Sequence, residues 1–307
     1  MTINLTDPVF TDEAKAREHL EEIRWPGGPV CPHCGSVDKV YRLAGKSHRP
    51  GLIHCNNCDG SFTVTTGSVM ESSHVPLNKW VLAFRLLASS KKGMSAHQLH
   101  RTIGVTYKTA WFMAHRIREA MRETSPAPLG GEGKVIESDE TYWGAKDKET
   151  NPAMRGRRRG KPGPGGKSKI LSLVERDGRA RSFKMEDFRM ASVRDVLLAH
   201  TLTTSRLMTD EGTTHEVGKH FAKHETVKHG AHEYARGDVS TNTVEGFFGI
   251  FKSGMKGTYQ HCGPQHLQRY LDEFDFRYNN RIALGVGDTE RAERAIKGAE
   301  GKRLRYR

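Results

Sequence analysis

Four cysteines near the N-terminus constrain this chain more than any other feature. They form two pairs, Cys31 with Cys34 and Cys55 with Cys58, in the spacing C-x2-C-x20-C-x2-C. Such pairs supply four thiolates to a tetrahedral Zn²⁺, with each pair on a tight turn. A module of about 50 residues needs a stabilising metal site of this kind, because it cannot bury a large core. The spacing therefore predicts one structural zinc ion in a zinc ribbon, with no coordination position left open for catalysis.

The ribbon is predicted to lie in an N-terminal unit of residues 1–68. Residues 11–24 place apolar side chains at helical spacing after Thr11, so a short capped helix should precede the ribbon. Ribbons bind DNA, RNA or protein, and the ribbon alone therefore assigns no partner. The fifth cysteine, Cys262, stands apart from any ligand set and is interpreted as a packed or inert side chain.

The charge balance indicates an acidic partner. Lys and Arg number 49 against 36 Asp and Glu, a formal net charge of +13, which favours nucleic acid or an anionic membrane surface. The chain has no apolar run of about 18 residues, and its first residues lack the basic and apolar regions of a signal peptide. We therefore expect a soluble intracellular protein without a membrane segment.

A second unit, residues 69–126, has a helical pattern. Three helices are expected, near 76–89, 95–104 and 107–122. The last two match the apolar spacing of a helix-turn-helix, whose second helix would read the major groove. Its exposed face is predicted to carry Tyr107, Lys108, Thr109, Trp111, His115 and Arg116. Lys108 and Arg116 are the predicted DNA contacts, although a plain three-helix packing module would explain the apolar pattern equally well.

The third unit, residues 132–285, mixes strands and helices, which indicates an α/β domain. Between its first two strands lies the basic loop 155–169, RGRRRGKPGPGGKSK, which cannot bury a core and should be flexible. Arg157, Arg158 and Arg159 in this loop are predicted to contact phosphates, the alternative being a solvated loop without a role. Residues 286–307 are expected to form a basic tail, frayed from Arg291 onward.

Acidic residues in the third unit suggest a metal site. Asp139 and Asp210 each follow a predicted strand next to a turn, and strand ends are where catalytic groups collect in α/β domains. Glu245 lies on a predicted helix, two turns before Lys252 on the same face. Three converging carboxylates repel one another unless Mg²⁺ or Mn²⁺ neutralises them. Two such ions, roughly 3.5 to 4 Å apart, would suit phosphodiester cleavage. Each acid taken alone is weak evidence, because a single acid at a strand end is more often a turn or cap residue.

The whole set of motifs resembles a known family. The order of zinc ribbon, helical segment, DETYWG, TDEG, NTVEGFFGIFK, KGTYQH and HLQRYLDEFDFRYNNR is similar to bacterial insertion-sequence transposases with an N-terminal zinc ribbon and a DDE, ribonuclease H-like catalytic domain. The likeness covers roughly residues 10–285. It implies that Asp139, Asp210 and Glu245 are the three metal-binding carboxylates. It also implies that Lys252 is the basic residue of an E-x6-K signature, in contact with DNA near the cut.

The resemblance also implies a reaction and partners. The expected reaction is metal-dependent cleavage at the inverted repeats of an insertion sequence, followed by strand transfer into target DNA. A transposase must hold two double-stranded ends together, so a homodimer or larger assembly on DNA is expected, in the cytoplasm at the nucleoid. Two alternatives are a zinc-ribbon DNA-binding regulator without catalysis and a ribonuclease H-like nuclease that only hydrolyses.

The third ligand is open to one alternative. Some relatives have Asn at that position, and Asn242 lies about one helical turn before Glu245. Glu245 is preferred for its spacing to Lys252 and for its charge. The adjacent acids Glu140 and Glu211 should point away by strand alternation, in outer or capping roles.

Overall fold

The computed structural model describes residues 4–144, 167–210, 217–228, 233 and 235–304. The chain divides into two compact units, Met1–Glu123 with Gly285–Arg307, and Thr124–Leu284. The ribbon and the helical segment, expected as separate units, therefore lie in one unit, together with the C-terminal residues. The basic loop from 155 to 166, with Arg157, Arg158 and Arg159, lies outside the described residues, as does Glu211.

The first unit begins with two helices, α1 (Pro8–Thr11) and α2 (Glu13–Arg24). The Asp12 carboxylate accepts hydrogen bonds from the backbone N–H groups of Ala14 and Lys15 and so caps α2. The predicted helix is therefore present, but its cap is Asp12 instead of Thr11.

The ribbon is a three-stranded antiparallel sheet of β1 (Val40–Arg42), β2 (Ile53–Cys55) and β3 (Gly60–Phe62). Its small core contains Ile53 and Phe62, both fully buried. The ring of Trp25 packs edge-on against Phe62, with 5.8 Å between centroids. A core of so few side chains is consistent with a module that depends on a metal.

Three helices follow, at the positions that the periodicity predicts: α3 (Leu77–Ser89), α4 (Ala96–Ile103) and α5 (Tyr107–Met121). Gly104 ends α4 in the left-handed conformation at φ 62°, which glycine adopts without strain. Side chains of Ser95 and Thr106 cap α4 and α5. The largest fully buried side chains of this segment include Trp80, Phe84, Leu87, Leu99, Met113 and Ile117.

The C-terminal residues differ from the expected frayed tail. Residues Asp288–Lys297 form helix α9, which packs mainly on α3. Ala292, Ala295 and Ile296 are buried, and the buried Arg291 donates to the backbone carbonyls of Ala88 and Val286. The expectation of fraying was wrong because it rested on average polarity, whereas a narrow apolar stripe is enough to bury one face of a helix.

The second unit is built on a five-stranded mixed sheet in the order β6-β5-β4-β7-β8. Its strands are β4 (Val135–Trp143), β5 (Ser168–Glu175), β6 (Ala180–Met185), β7 (Arg206–Thr209) and β8 (Lys223–Thr226). The first three pair antiparallel, and β4, β7 and β8 pair parallel. The predicted combination of zinc-ribbon sheet, helical segment and mixed α/β domain is therefore confirmed.

Helices cover both faces of this sheet. Helix α6 (Met190–His200) packs on the face that contains Ile136, Leu171 and Leu207. A hairpin of β9 (Ala235–Arg236) and β10 (Val239–Ser240) leads into α7 (Asn242–Gly254), which is followed by α8 (Leu267–Asn279). Both α7 and α8 pack on the opposite face, against Ile170 and Val174. No helix among the described residues is long and apolar enough to cross a membrane.

Candidate functional site

The four cysteines of the ribbon converge on one point. Their sulfur atoms all lie within 4.8 Å of one another. The Sγ–Sγ distances are 3.7 Å for both Cys31–Cys58 and Cys34–Cys55. Four sulfurs about 2.3 Å from a central Zn²⁺ would be separated by roughly 3.8 Å in a tetrahedron. The cluster thus has the dimensions of one structural zinc site, as the spacing predicts.

Hydrogen bonds favour the thiolate at one corner of this cluster. A hydrogen bond from the Ser36 backbone and another from the Asn57 side chain lower the pKa of Cys34 to about 6. The Asn57 amide lies 3.7 Å from the Cys34 sulfur. Metal binding requires the deprotonated thiol, so these two donors help to prepare a ligand.

In the second unit, three carboxylates meet beside the end of β7. Oxygens of Asp139, Glu140 and Asp210 all lie within 4.8 Å of one another, and the three side chains are half-buried. Ser138 on β4 pairs with Thr209, the last residue of the parallel strand β7. Asp139 and Asp210 are the residues that directly follow this last pair. The expectation that Asp139 ends its strand was wrong, because β4 continues to Trp143. It is the shorter β7 that ends at this point.

Glu140 is also placed differently from the prediction. Strand alternation was expected to turn its side chain away, yet its carboxylate joins those of Asp139 and Asp210. The Asp139 carboxylate also accepts the backbone N–H of Glu140 at 2.7 Å. Alternation fixes only the direction of the Cβ atom, and a side chain as long as Glu can return beside the end of a shorter strand.

Asn242 and Glu245 lie on the exposed first turn of α7. The Glu245 carboxylate accepts a hydrogen bond from the Thr241 hydroxyl at 2.9 Å. Among the described residues, Glu245 does not belong to the cluster of three carboxylates. Lys252 lies farther along α7, with its ammonium 5.7 Å from the centroid of the Phe248 ring. The fold therefore brings together two of the three predicted acids and adds Glu140 to them.

One further carboxylate was missed by sequence reasoning. Glu137, two residues before Asp139, is fully buried and accepts hydrogen bonds from the backbone N–H groups of Thr243 and Val244. Its partner Arg176 donates from Nε at 2.5 Å. The sequence did contain a signal for it: Glu137 stands two residues before Asp139 in VIESDE, so strand alternation places both on the same face.

The two predicted DNA contacts on α5 differ in exposure. Lys108 is exposed on the first turn of α5, next to the exposed Tyr107. Arg116 is buried, donates to the Glu71 carbonyl, and stacks over the Phe112 ring. This burial argues against the predicted contact of Arg116 with DNA. His115 is buried as well, because the face toward the core is wider than the apolar residues alone indicate.

Similarity to known proteins covers both units. Residues 128–279 match the ISXO2-like transposase domain, and residues 11–61 match the transposase zinc-ribbon domain. An uncharacterized protein in the transposable element ISH50 of Halobacterium salinarum is 30% identical over 290 residues. That alignment covers 87% of this chain and 91% of the relative.

Proposed function

Since this chain belongs to the IS1595 family of transposases, with a zinc ribbon ahead of a DDE transposase domain, we propose that it cuts double-stranded DNA at the inverted repeats of an insertion sequence and transfers the freed strands to target DNA. The family makes it a polynucleotidyl transferase. The observation that carries the proposed site is the convergence of Asp139 and Asp210 beside the end of β7. The predicted bacterial origin stays a prediction, because the relative comes from Halobacterium salinarum.

The carboxylates fit a centre for Mg²⁺ or Mn²⁺. Their donors are hard oxygens, and those of Asp139, Glu140 and Asp210 lie close enough to share an ion. When bound, two divalent cations would activate a water or a 3′-hydroxyl and stabilise the leaving oxygen. Asp139 and Asp210 would hold them from the sheet, and Glu245 would complete the set from α7.

Glu245 is the preferred third ligand over Asn242 for two reasons. It carries a charge, and it stands seven residues before Lys252 in the arrangement of the family. To reach the metals, its carboxylate would exchange the hydrogen bond of Thr241 for a metal bond. Lys252 would then lie on the same side of α7, where its ammonium can contact a phosphate.

A basic surface on the helical segment supports DNA binding there. Residues 72–118 contain no Asp or Glu but eight Lys and Arg. Arg85, Arg116 and Arg118 are buried, so the other five, Lys79, Lys91, Lys92, Arg101 and Lys108, supply the accessible positive charge. The exposed Tyr107 ring stacks on His97 with 4.2 Å between centroids, at the start of the proposed recognition helix.

The other proposed contacts and partners follow from the family. Arg157, Arg158 and Arg159 of the basic loop would bind backbone phosphates. Two element ends must be held at once, so the working form would be a homodimer or larger assembly on DNA. The reaction would take place in the cytoplasm, at the nucleoid.

The test is an assay of cleavage and joining with Mg²⁺ on DNA that carries the inverted repeats of the element. We expect wild-type protein to cut and join, and Asp139→Asn to bind the same DNA without cutting it. Binding without cutting by wild-type protein would favour a DNA-binding regulator. Cutting without joining would favour a nuclease. Full activity of Asp139→Asn would refute the proposed site.

A further inference from the structure

The N-terminus of α7 is capped by a residue from a distant strand. Thr241 makes no side-chain cap to this helix. Instead, Oε2 of Glu137 accepts the N–H groups of Thr243 at 2.7 Å and Val244 at 3.0 Å, and Oε1 accepts the Thr243 hydroxyl at 2.9 Å. These N–H groups are the ones that a capping side chain normally satisfies. A fully buried carboxylate on β4 therefore replaces the local cap.

Two arginines fix the hairpin that leads into α7. Besides Glu137, Arg176 binds the carbonyls of Asp238 and Ser240, at 2.7 and 3.0 Å. Arg206 on β7 forms a bidentate pair with the Asp238 carboxylate and also binds Glu225 on β8. The chain from β9 to the first turn of α7 is thus held by charged contacts from β4, β7 and the turn after β5.

The same carboxylate lies between the two parts of the proposed active site. Glu137 precedes Asp139 by two residues, and both lie on the strand face that α7 covers. The N–H groups that it binds belong to residues between Asn242 and Glu245. A shift of α7 along β4 would break these bonds and move Glu245 relative to Asp139.

We propose that Glu137 is a positioning residue that sets the distance between the strand-borne acids and Glu245. The inference rests on the proposed function and adds a residue that itself touches neither metal nor DNA. Its negative charge matters, because charge-assisted bonds to a helix N-terminus are stronger than neutral ones. A neutral amide of the same shape keeps the packing but presents an N–H group toward donors.

The main test compares Glu137→Gln with Asp275→Asn. Asp275 is the control: it is also a buried acidic residue of the second unit, but it ties α8 to β6 through the N–H and hydroxyl of Ser182. We expect Glu137→Gln to lower the single-turnover cleavage rate about 10- to 100-fold, the range for loss of an outer-shell or positioning contact. Its affinity for terminal-repeat DNA should stay within about twofold of wild type, since it removes no DNA contact. Asp275→Asn should leave both the rate and the affinity near wild type.

A second measurement needs neither metal nor activity. Hydrogen exchange of metal-free Glu137→Gln should be faster in the first turn of α7, because the N–H groups of Thr243 and Val244 lose the carboxylate that accepts them. Exchange at Ser182 on β6 should be unchanged. Asp275→Asn should show the reverse pattern, with faster exchange at Ser182, whose N–H group Asp275 accepts.

The two proposals can fail separately. If Asp139→Asn cuts DNA like wild type, the proposed function fails. If Asp139→Asn is inactive but Glu137→Gln cuts at the wild-type rate, or loses no more activity than Asp275→Asn, the positioning role is refuted. Should Glu137→Gln not fold, Thr243→Val removes one of the same bonds without touching the backbone cap. It should then give a smaller loss of rate with unchanged DNA affinity, and a wild-type rate would refute the role.

Discussion

The first turn of α7 offers two candidates for the third metal ligand. Both Asn242 and Glu245 are exposed there, and the Thr241 hydroxyl donates a hydrogen bond to the Glu245 carboxylate. We expect Glu245→Gln to lower cleavage by more than the roughly 10- to 100-fold that loss of an outer-shell partner costs. Asn242→Ala should cost less than that. Single-turnover cleavage with Mg²⁺ checks both variants, and a larger loss for Asn242→Ala would assign the ligand to the amide.

Burial separates Lys108 from Arg116, although both are basic residues of one helix. Lys108→Met should weaken DNA binding uniformly across sequences and reduce the slope of log K against log salt by about 1, as loss of one phosphate contact does. Its Tm should not change. Arg116→Met should lower Tm instead, because Arg116 loses its bond to Glu71 and its contact with Phe112. Salt titrations of DNA affinity and thermal unfolding distinguish them, and the opposite assignment would refute the proposed surface.

Predictions for single residues were correct where metal binding fixes the spacing of the ligands in the sequence. They were wrong where the position of a side chain depends on tertiary packing. The cysteine cluster follows from the spacing of Cys31, Cys34, Cys55 and Cys58 alone. Glu140 was assigned to the wrong side because alternation carries no information on where β7 ends. Glu137 was missed because its partners on α7 lie more than 100 residues away in the sequence.

At the level of elements, the ribbon should depend on its metal. Its strands have three residues each, and its core contains few large side chains. We expect one zinc per chain, lost in Cys55→Ser together with protection from hydrogen exchange in residues 40–62. Cys262→Ser is the control and should keep its zinc. Zinc content by metal analysis and exchange by mass spectrometry check this, and a protected ribbon without zinc would contradict it.

The pairing of α8 with β6 should depend on pH. Burial raises the pKa of Asp275 to about 8, from about 4 in the unfolded chain. Between these values the folded protein binds a proton that the unfolded chain lacks, so this contribution to stability is complete below about pH 4 and is lost as pH rises toward 8. Asp275→Asn removes this titration.

The free energy of unfolding of Asp275→Asn, relative to wild type, should therefore increase from pH 5 to pH 8. Urea unfolding at several pH values measures the difference, with Asp195→Asn, an exposed carboxylate on α6, as the control. A difference between Asp275→Asn and wild type that stays constant with pH would contradict a raised pKa.

Most elements follow from periodicity, as α3, α4, α5 and α7 illustrate. Helix α9 does not, because its sequence DTERAERAIK is mostly charged and only four residues are buried. Arg291 is one of them, and its burial depends on backbone carbonyls that the sequence does not reveal. The average polarity of a segment therefore does not reveal that a helix packs against the protein through a narrow apolar stripe.

For the whole molecule, the ordered set of motifs was more informative than any single one. Composition left nucleic acid and anionic membrane both open, and each acid alone was weak. The ribbon followed by DETYWG, TDEG and the E-x6-K helix identified the family, which the matches at residues 11–61 and 128–279 confirm. The grouping of ribbon, helical segment and C-terminal helix in one compact unit was not predicted, since it depends on contacts between residues distant in sequence.

The central claim is that Asp139 and Asp210 bind the cations that drive DNA cleavage and joining. A metal switch tests it most directly, because Mg²⁺ is a poor partner for thiolate whereas Mn²⁺ is softer. Asp139→Cys and Asp210→Cys should each be inactive with Mg²⁺ and regain cleavage and strand transfer with Mn²⁺, while wild-type protein works with both. Activity of these variants with Mg²⁺ at the wild-type level, or no rescue by Mn²⁺ in either, would contradict the claim.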